Sequence, residues 1–484
     1  MTINANGSAL PVNGSTKVSH SDGIPVELVA TPAPEKQTNV KTLPPSFYAS
    51  FISAESRARK PNSIRGLFPL EKVPGVISLL AGKPNPETFP ISSLQITVRA
   101  PPEDGTSSQI EKTLEISGSR MAAGLQYGST TGYEPLIAWW EGLQTRTHGR
   151  TKGEGWQVSV GSGSQDFLYK SFHALVNPGD YVLVESPVYS GVLPILESLR
   201  AQIIPVDTDS SGIRSSSLKH ILENWPALRP FPKFLYTVPY GGNPTGLTTS
   251  AERRRDVLAL AQKYNFLILE DDPYYFLYYG KALRPPSYFA LEEELGEVGR
   301  VLRFDSLSKI LSAGIRIGFA SGPKPILDAM DQHTASANLQ VSSLTQVITH
   351  TVLESYGYEG FVKHTEMVSE FYRQRRDIFE EAMHRQLGGL AEWISPEAGM
   401  FFWFKLLLNN SSNLSNQTTE EDSEELIQSK AFENGVLALP GTSFLPTGGK
   451  TAYVRASFSI VDPNDIEEAL RRLREVILKA RGEA

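Results

Sequence analysis

From residue 127 to residue 319 the sequence repeats one unit: a short apolar run, a polar loop containing glycine, and a stretch with helical spacing. Five apolar runs follow one another in this way, at 157–161, 180–185, 233–238, 266–271 and 301–302, and polar side chains stand behind each. Strands separated by helices are joined by crossovers, so they build a mostly parallel sheet with helices on both faces. The run at 266–271, FLILED, is apolar almost without interruption, as a strand buried on both faces must be. Carboxyl ends of such strands share one edge, and the polar residues behind them converge there.

Beyond about residue 344 the character changes. A long helical stretch at 348–386 precedes an aromatic strand at 399–405, a polar insertion at 409–425, strand-like runs at 436–441 and 452–458, and an amphipathic closing helix. This reads as a smaller α+β domain. A chain of 484 residues with 40% hydrophobic content can bury two or three cores. The expected divisions are a disordered extension at 1–45, an N-terminal arm at 46–90, a large α/β domain at 91–344 and a small C-terminal domain at 345–484. Within the arm a helix-like pattern breaks at Pro61, and a short strand at 76–80 is stopped by Gly82 and the prolines after it.

Several classes are excluded. The net charge of −7 with no basic block argues against nucleic-acid binding. With no cysteine there is no disulfide, thiolate nucleophile or thiolate-bound metal, and no metal site is expected. No apolar run approaches a membrane span, and the polar first 45 residues lack both a signal-peptide core and transit-peptide arginines. A cytoplasmic protein is expected. Sequons at Asn6, Asn13, Asn409, Asn410, Asn413 and Asn416 then read as polar loop chemistry.

Lys309 is the residue most out of place. It stands between apolar runs, whereas a strongly hydrated ammonium ordinarily sits on a solvated face. A lysine removed from water has a lowered pKa and condenses with an aldehyde. Ser306, Ser308 and Arg316 beside it are natural ligands for an anionic group, since Arg forks onto phosphate. Together they point to pyridoxal phosphate (PLP), the alternative being a loop lysine beside a structural arginine.

Other stretches offer matching pieces. Ser164 and Gln165 open a helix behind the first run, where amides and a hydroxyl hold phosphate or simply cap the helix. Tyr189 can stack on a flat ring or pack in the core. Asn243 can donate and accept through its amide or close an Asx turn. Asp271 can pair with a protonated pyridine nitrogen and Tyr274 can reach a ring hydroxyl; helix capping is the alternative. Arg455 lies in an apolar strand, so its charge needs an anion, either a buried carboxylate or a substrate carboxylate. Tyr127 can donate to an anion or pack, and Gly82 can admit a ligand to the backbone or form a turn.

The motifs SPVYSGVL, YGGNPTG, EDDPYYFL, SLSKILSAGIRIGF, GMFFWF and YVRASFS stand in this order between 186 and 459. Together they resemble the fold-type I PLP-dependent aminotransferases, in particular the aromatic, kynurenine and 2-aminoadipate subgroup, and overall the fungal aromatic aminotransferases. The likeness runs from about residue 48 to the C-terminus. It implies a large domain with a seven-stranded type of sheet, a smaller C-terminal domain, and a homodimer with shared active sites. By the resemblance Lys309 is the Schiff-base lysine, Asp271 the partner of the pyridine nitrogen, Asn243 and Tyr274 the ring-hydroxyl ligands and Tyr189 the stacking ring. Ser164, Gln165, Ser306, Ser308 and Arg316 form the phosphate cradle, joined by Tyr127 of the second subunit. Arg455 anchors the substrate α-carboxylate, and Arg65 is a mobile gating residue.

The implied reaction is ping-pong transamination, with Lys309 as general base and acid. Phe401, Phe402, Tyr127 and Tyr189 are expected to line an aromatic pocket, which gives Phe, Tyr or Trp as amino donor and phenylpyruvate or 2-oxoglutarate as acceptor. Arg65 facing an acidic side chain would instead fit 2-aminoadipate or kynurenine transamination. The same Lys and Asp also serve a PLP lyase or decarboxylase. A regulator built on this fold needs a basic helical segment in front, and the 45 residues here are nearly uncharged.

Overall fold

The computed structural model describes residues 40–60, 64–80, 82–101, 110–408 and 422–483. The expected disordered extension and the polar insertion lie largely outside these residues. Eight strands form the main sheet: β1 (Trp156–Gly161), β2 (Tyr181–Ser186), β3 (Gln202–Asp209), β4 (Gly212–Ile213), β5 (Phe234–Thr237), β6 (Leu267–Asp272), β7 (Val301–Ser306) and β8 (Gly318–Pro323). Their order is β1-β8-β7-β6-β5-β2-β3-β4. The seven longer strands match the expected sheet; β4 adds a two-residue antiparallel edge.

β7, β6, β5, β2 and β3 are parallel to one another, and β8 runs antiparallel to both β7 and β1. β1 therefore points the same way as the parallel set. The carboxyl ends of β1, β2, β5, β6 and β7 meet at one edge, and the reversed β8 brings its amino end there too. Leu267, Ile268 and Leu269 of β6 are fully buried, as their unbroken apolar run requires. Helices α1 (Glu134–His148), α2 (Ser164–Leu175), α3 (Ala251–Tyr264) and α4 (Lys324–Ala337) cover the faces. Trp140 of α1 stacks on Phe319 of β8 with ring centroids 3.8 Å apart.

Helix α5 (Ser343–Leu387) leads to a second sheet, of β9 (Ala391–Trp393), β10 (Phe401–Leu406), β11 (Leu439–Pro440) and β12 (Tyr453–Ser457) in the order β9-β10-β12-β11. Gly357, at φ 63° and ψ −176°, interrupts α5, so the long helical stretch is two helices. Phe402, Phe404, Leu406 and Val454 make a separate core with α5 and the closing helix α6 (Pro463–Arg481).

Three local expectations change. Residues 76–80 form no strand: they run irregularly, with Ile77 90% and Leu79 98% exposed, because no neighbouring strand pairs with them. The helix-like start of the arm is two short helices, Pro45–Tyr48 and Ala54–Ala58. Of the run 436–441 only Leu439–Pro440 pairs as strand.

Candidate active site

Behind β1 the chain turns at Gly163, with φ 89° and ψ 171°, into the first turn of α2. A Cβ at Gly163 would lie 2.5 Å from Arg316 Nη2, so only glycine admits the guanidinium this close. Arg316, just ahead of β8, donates from Nη1 to Ser308 Oγ (3.0 Å) and from Nη2 to the Ser162 carbonyl (2.9 Å). Ser306 Oγ accepts the Ser308 amide at 3.2 Å. Ser164, Ser306, Ser308 and Arg316 thus surround the amino end of α2, where amides, hydroxyls and a guanidinium favour an anion such as phosphate.

Lys309 ends the short 3-10 turn Leu307–Lys309 behind β7. Burial lowers its pKa first, and the Arg316 guanidinium lowers it further. The amine is thereby biased toward its neutral, nucleophilic form.

The register of β6 against β7 separates two environments. Asp271 faces Phe304 in register, whereas Glu270 pairs with Arg303 and Asp272 with Asp305 on the opposite face. Arg303 is fully buried there and pairs with Asp272 (2.6 Å), Asp305 (2.7 Å) and Glu270 (3.4 Å). Gln144 of α1 donates to Asp305 at 2.7 Å. Among the described residues, no cation pairs with Asp271. Its Oδ2 accepts the Tyr236 hydroxyl at 2.8 Å, and Oδ1 is buried with no hydrogen-bond partner among the described residues. Burial pushes the Asp271 carboxyl up to about 7, against the Tyr236 hydrogen bond and with a further push from Asp305.

Arg455 projects from β12 on the side opposite the second core. Its guanidinium lies over Phe401 (4.2 Å) and Phe444 (4.9 Å), Nη1 donates to Asn243 Oδ1 at 2.8 Å, and Nε is buried with no partner among the described residues. Asp271 and Arg455 both act on the phenols of Tyr189 and Tyr274, which places all four in one neighbourhood. Burial raises both phenols above their ordinary pKa, and Asp271 adds to it. Tyr189 donates to Gln165 Oε1 at 3.1 Å, while Gln165 donates to the Gly191 carbonyl at 3.0 Å. Tyr274 meets Phe401 edge to face at 6.3 Å.

Phe402 is corrected. Strand alternation turns it away from Phe401 into the second core, where it stacks on Phe379 at 5.3 Å, so it lines no pocket beside Arg455. Tyr127 is 54% exposed in a loop whose Gln126 donates to the Pro84 carbonyl at 2.9 Å, so that loop and the exposed Gly82 segment are neighbours. Arg65 opens the short helix Arg65–Lys72, and its side chain lies outside the described residues. Two residues at the site, Tyr236 and Phe444, are not among the sequence candidates. Tyr236 sits in an apolar run that reads as plain core until the β5–β6 register is known, and Phe444 follows a glycine turn without a motif.

Comparison with known proteins agrees with this geometry. The chain is 43% identical over 426 residues to aminotransferase tdiD of Emericella nidulans, covering 87% of this chain and 94% of the relative. It is 39% identical to the bovine mitochondrial kynurenine/alpha-aminoadipate aminotransferase, covering 89% and 99%. Among solved structures, the aromatic aminotransferase Aro9 of Candida albicans superposes with a TM-score of 0.76 at 28% identity, covering 89% and 97%. LysN, an alpha-aminoadipate aminotransferase of Thermus thermophilus complexed with N-(5'-phosphopyridoxyl)-L-leucine, superposes with a TM-score of 0.64 at 30% identity, covering 74% and 84%.

The cofactor is pyridoxal phosphate, and the residues present fit it. The glycine-dependent cradle at Gly163 suits its phosphate, the unpartnered Asp271 Oδ1 suits its ring nitrogen, and the partly desolvated Lys309 suits its aldehyde. Residues 110–473 match the model of aminotransferase class I and II, and this chain belongs to that family as an aminotransferase.

Proposed function

We propose that the enzyme transfers the amino group of an aromatic L-amino acid, Phe, Tyr or Trp, to 2-oxoglutarate or phenylpyruvate in a ping-pong cycle. The observation that carries this reading is Arg455, held between Phe401 and Phe444 with Nε unpartnered. A guanidinium with an unpaired donor inside an aromatic frame suits a small carboxylate on an aromatic side chain.

In this reading Arg455 forks onto the substrate α-carboxylate, and Asn243 fixes the guanidinium through its 2.8 Å bond. Ser164, Gln165, Ser306, Ser308 and Arg316 would hold the phosphate, Tyr189 would supply a ring to stack on the cofactor, and Asn243 and Tyr274 would be the ligands of its ring hydroxyl. Bound pyridoxal phosphate supplies an aldehyde that takes up the amino group and a ring that spreads the electron pair left by the broken Cα–H bond. Lys309 Nζ would withdraw the proton from substrate Cα and deliver it to the carbon that had been the cofactor's aldehyde, a role its lowered pKa assists. Asp271 Oδ1 would keep a proton on the ring nitrogen.

The exposed Tyr127 supports a homodimer in which this residue completes the partner's cradle. Light scattering at micromolar concentration tests it; a monomer with full activity refutes it. The large and small units are read as domains meeting near residue 344, with the arm over the site.

A second reading, 2-aminoadipate or kynurenine as donor, is favoured by the names of the bovine relative and of LysN. Single-turnover absorbance with L-phenylalanine, L-tyrosine, L-tryptophan, L-kynurenine and L-2-aminoadipate, without oxo acid, separates the two. The aromatic reading requires the aromatic acids to convert the cofactor fastest. A higher ratio of rate constant to dissociation constant for 2-aminoadipate or kynurenine transfers the assignment to the second reading. Product ammonia or carbon dioxide in place of amino-group transfer would indicate a lyase or decarboxylase.

A further inference from the structure

Tyr236 is fully buried on β5 and donates its hydroxyl to Asp271 Oδ2 at 2.8 Å. In the β5–β6 register Tyr236 stands opposite Leu269, two residues before Asp271 and on the same face. Its ring meets Phe172 of α2 edge to face at 6.0 Å, and Phe172 stacks on Phe234 at 5.3 Å. Phe167, also on α2, stacks on Phe304, the in-register neighbour of Asp271. One helix thus presents its first turn to the cradle and clamps the residues around Asp271 farther along.

A carboxylate held at neither oxygen can turn about its own axis and present either one. The hydrogen bond from Tyr236 makes the two oxygens of Asp271 inequivalent, leaving Oδ1 as the unpaired one. The other ionisable groups acting with Asp271 are Tyr189 behind β2, Tyr274 behind β6 and Asp305 on β7, and none of them is hydrogen-bonded to it. We propose that Tyr236 is a positioning residue for the cofactor: it locks the Asp271 carboxylate so that Oδ1 is aimed at the ring nitrogen. The inference rests on the assignment of Asp271 to that nitrogen.

The test is equilibrium binding of pyridoxal phosphate to the apo-enzyme, beside its 1-deaza analogue, in which carbon replaces the ring nitrogen. Wild type should bind pyridoxal phosphate more tightly than the analogue. Tyr236→Phe should lose about tenfold or more of that preference, the scale of a hydrogen bond to a charged group, with binding of the analogue unchanged. Equal weakening for both ligands would make Tyr236 a packing residue and overturn the inference, as would an undiminished preference. Equal binding of both ligands by wild type would instead remove Asp271 from the ring nitrogen, a distinct failure that takes the inference with it. Should Tyr236→Phe not fold, 3-fluorotyrosine at position 236, a stronger donor of nearly the same shape, should increase the preference, and an unchanged preference overturns the inference.

Discussion

Replacing Asp271 by Asn in the apo-enzyme should make the protein's stability less sensitive to pH. The carboxyl is buried without a cation, and its pKa in the folded protein is about 7 against an ordinary value of 3.8. Because the folded value is raised, the folded state holds this proton where the unfolded chain has released it, so stability falls as pH rises from about 4 to about 7. Below that window both states are protonated; above it both are ionised. Linkage between these two pKa values gives a loss of about 2.5 kcal/mol from pH 5 to pH 7.5. The asparagine amide carries no titrating proton and keeps an oxygen for the Tyr236 hydroxyl. Urea unfolding of apo wild type and Asp271→Asn at both pH values checks this, since the other raised carboxyls, such as Asp331 and Glu293, cancel in the comparison. Wild type should lose about 2.5 kcal/mol more than the variant across the interval. Equal losses would show that Asp271 is solvated or paired in the apo-enzyme, and would remove the argument that it waits for a cationic ring nitrogen.

Lys309→Ala should lower the single-turnover rate by about 10²–10⁴-fold, the scale of a lost general acid–base group, and wild-type rates would refute its role. Arg455→Met should lower kcat/KM for L-phenylalanine about 10- to 150-fold, corresponding to roughly 1.5–3 kcal/mol for a hydrogen bond to a charged group; steady-state kinetics with an unchanged ratio would place the carboxylate elsewhere. Phe401→Ala should reduce kcat/KM for L-phenylalanine more than for L-2-aminoadipate, and parallel losses would dissociate Phe401 from side-chain selection. Arg303→Met leaves Glu270, Asp272 and Asp305 without their cation, so urea unfolding should show a loss of about 3–5 kcal/mol.

The parallel sheet was legible because its strands are apolar on both faces and separated by helical spacing, and Asp271, Lys309 and Arg455 stood out as candidates because each is a charge in an apolar context. Register was not. FLYT at 234–237 is an ordinary buried strand until β5 is laid against β6, and only then does Tyr236 fall within reach of Asp271. The pair Phe401-Phe402 shows the same limit, since alternation sends adjacent aromatics to opposite faces and composition cannot say which one meets Arg455. Residues 76–80 mislead for another reason: an apolar run makes a strand only where a partner supplies its hydrogen bonds.

The pair β6 and β7 explains how a carboxylate can stay without an ion pair one register position from a buried arginine. Period-two alternation divides the acids at 270, 271, 272 and 305 between two faces, and all of the guanidinium's ion pairs fall on one of them. Had Arg303 been one position along, it would face Asp271, hold that carboxyl ionised and close its free oxygen. The buried cluster also fixes α1 through Gln144, while the opposite face is fixed by α2 through Phe167 and Phe172. With both covering helices anchored, β6 has little freedom to shift in register, and a shift of one residue would exchange Asp271 for a member of the cluster. Insulating Asp271 thus depends on the same alternation that buries the arginine, so the ion pairs on one face and the unpaired carboxyl on the other are set by one register.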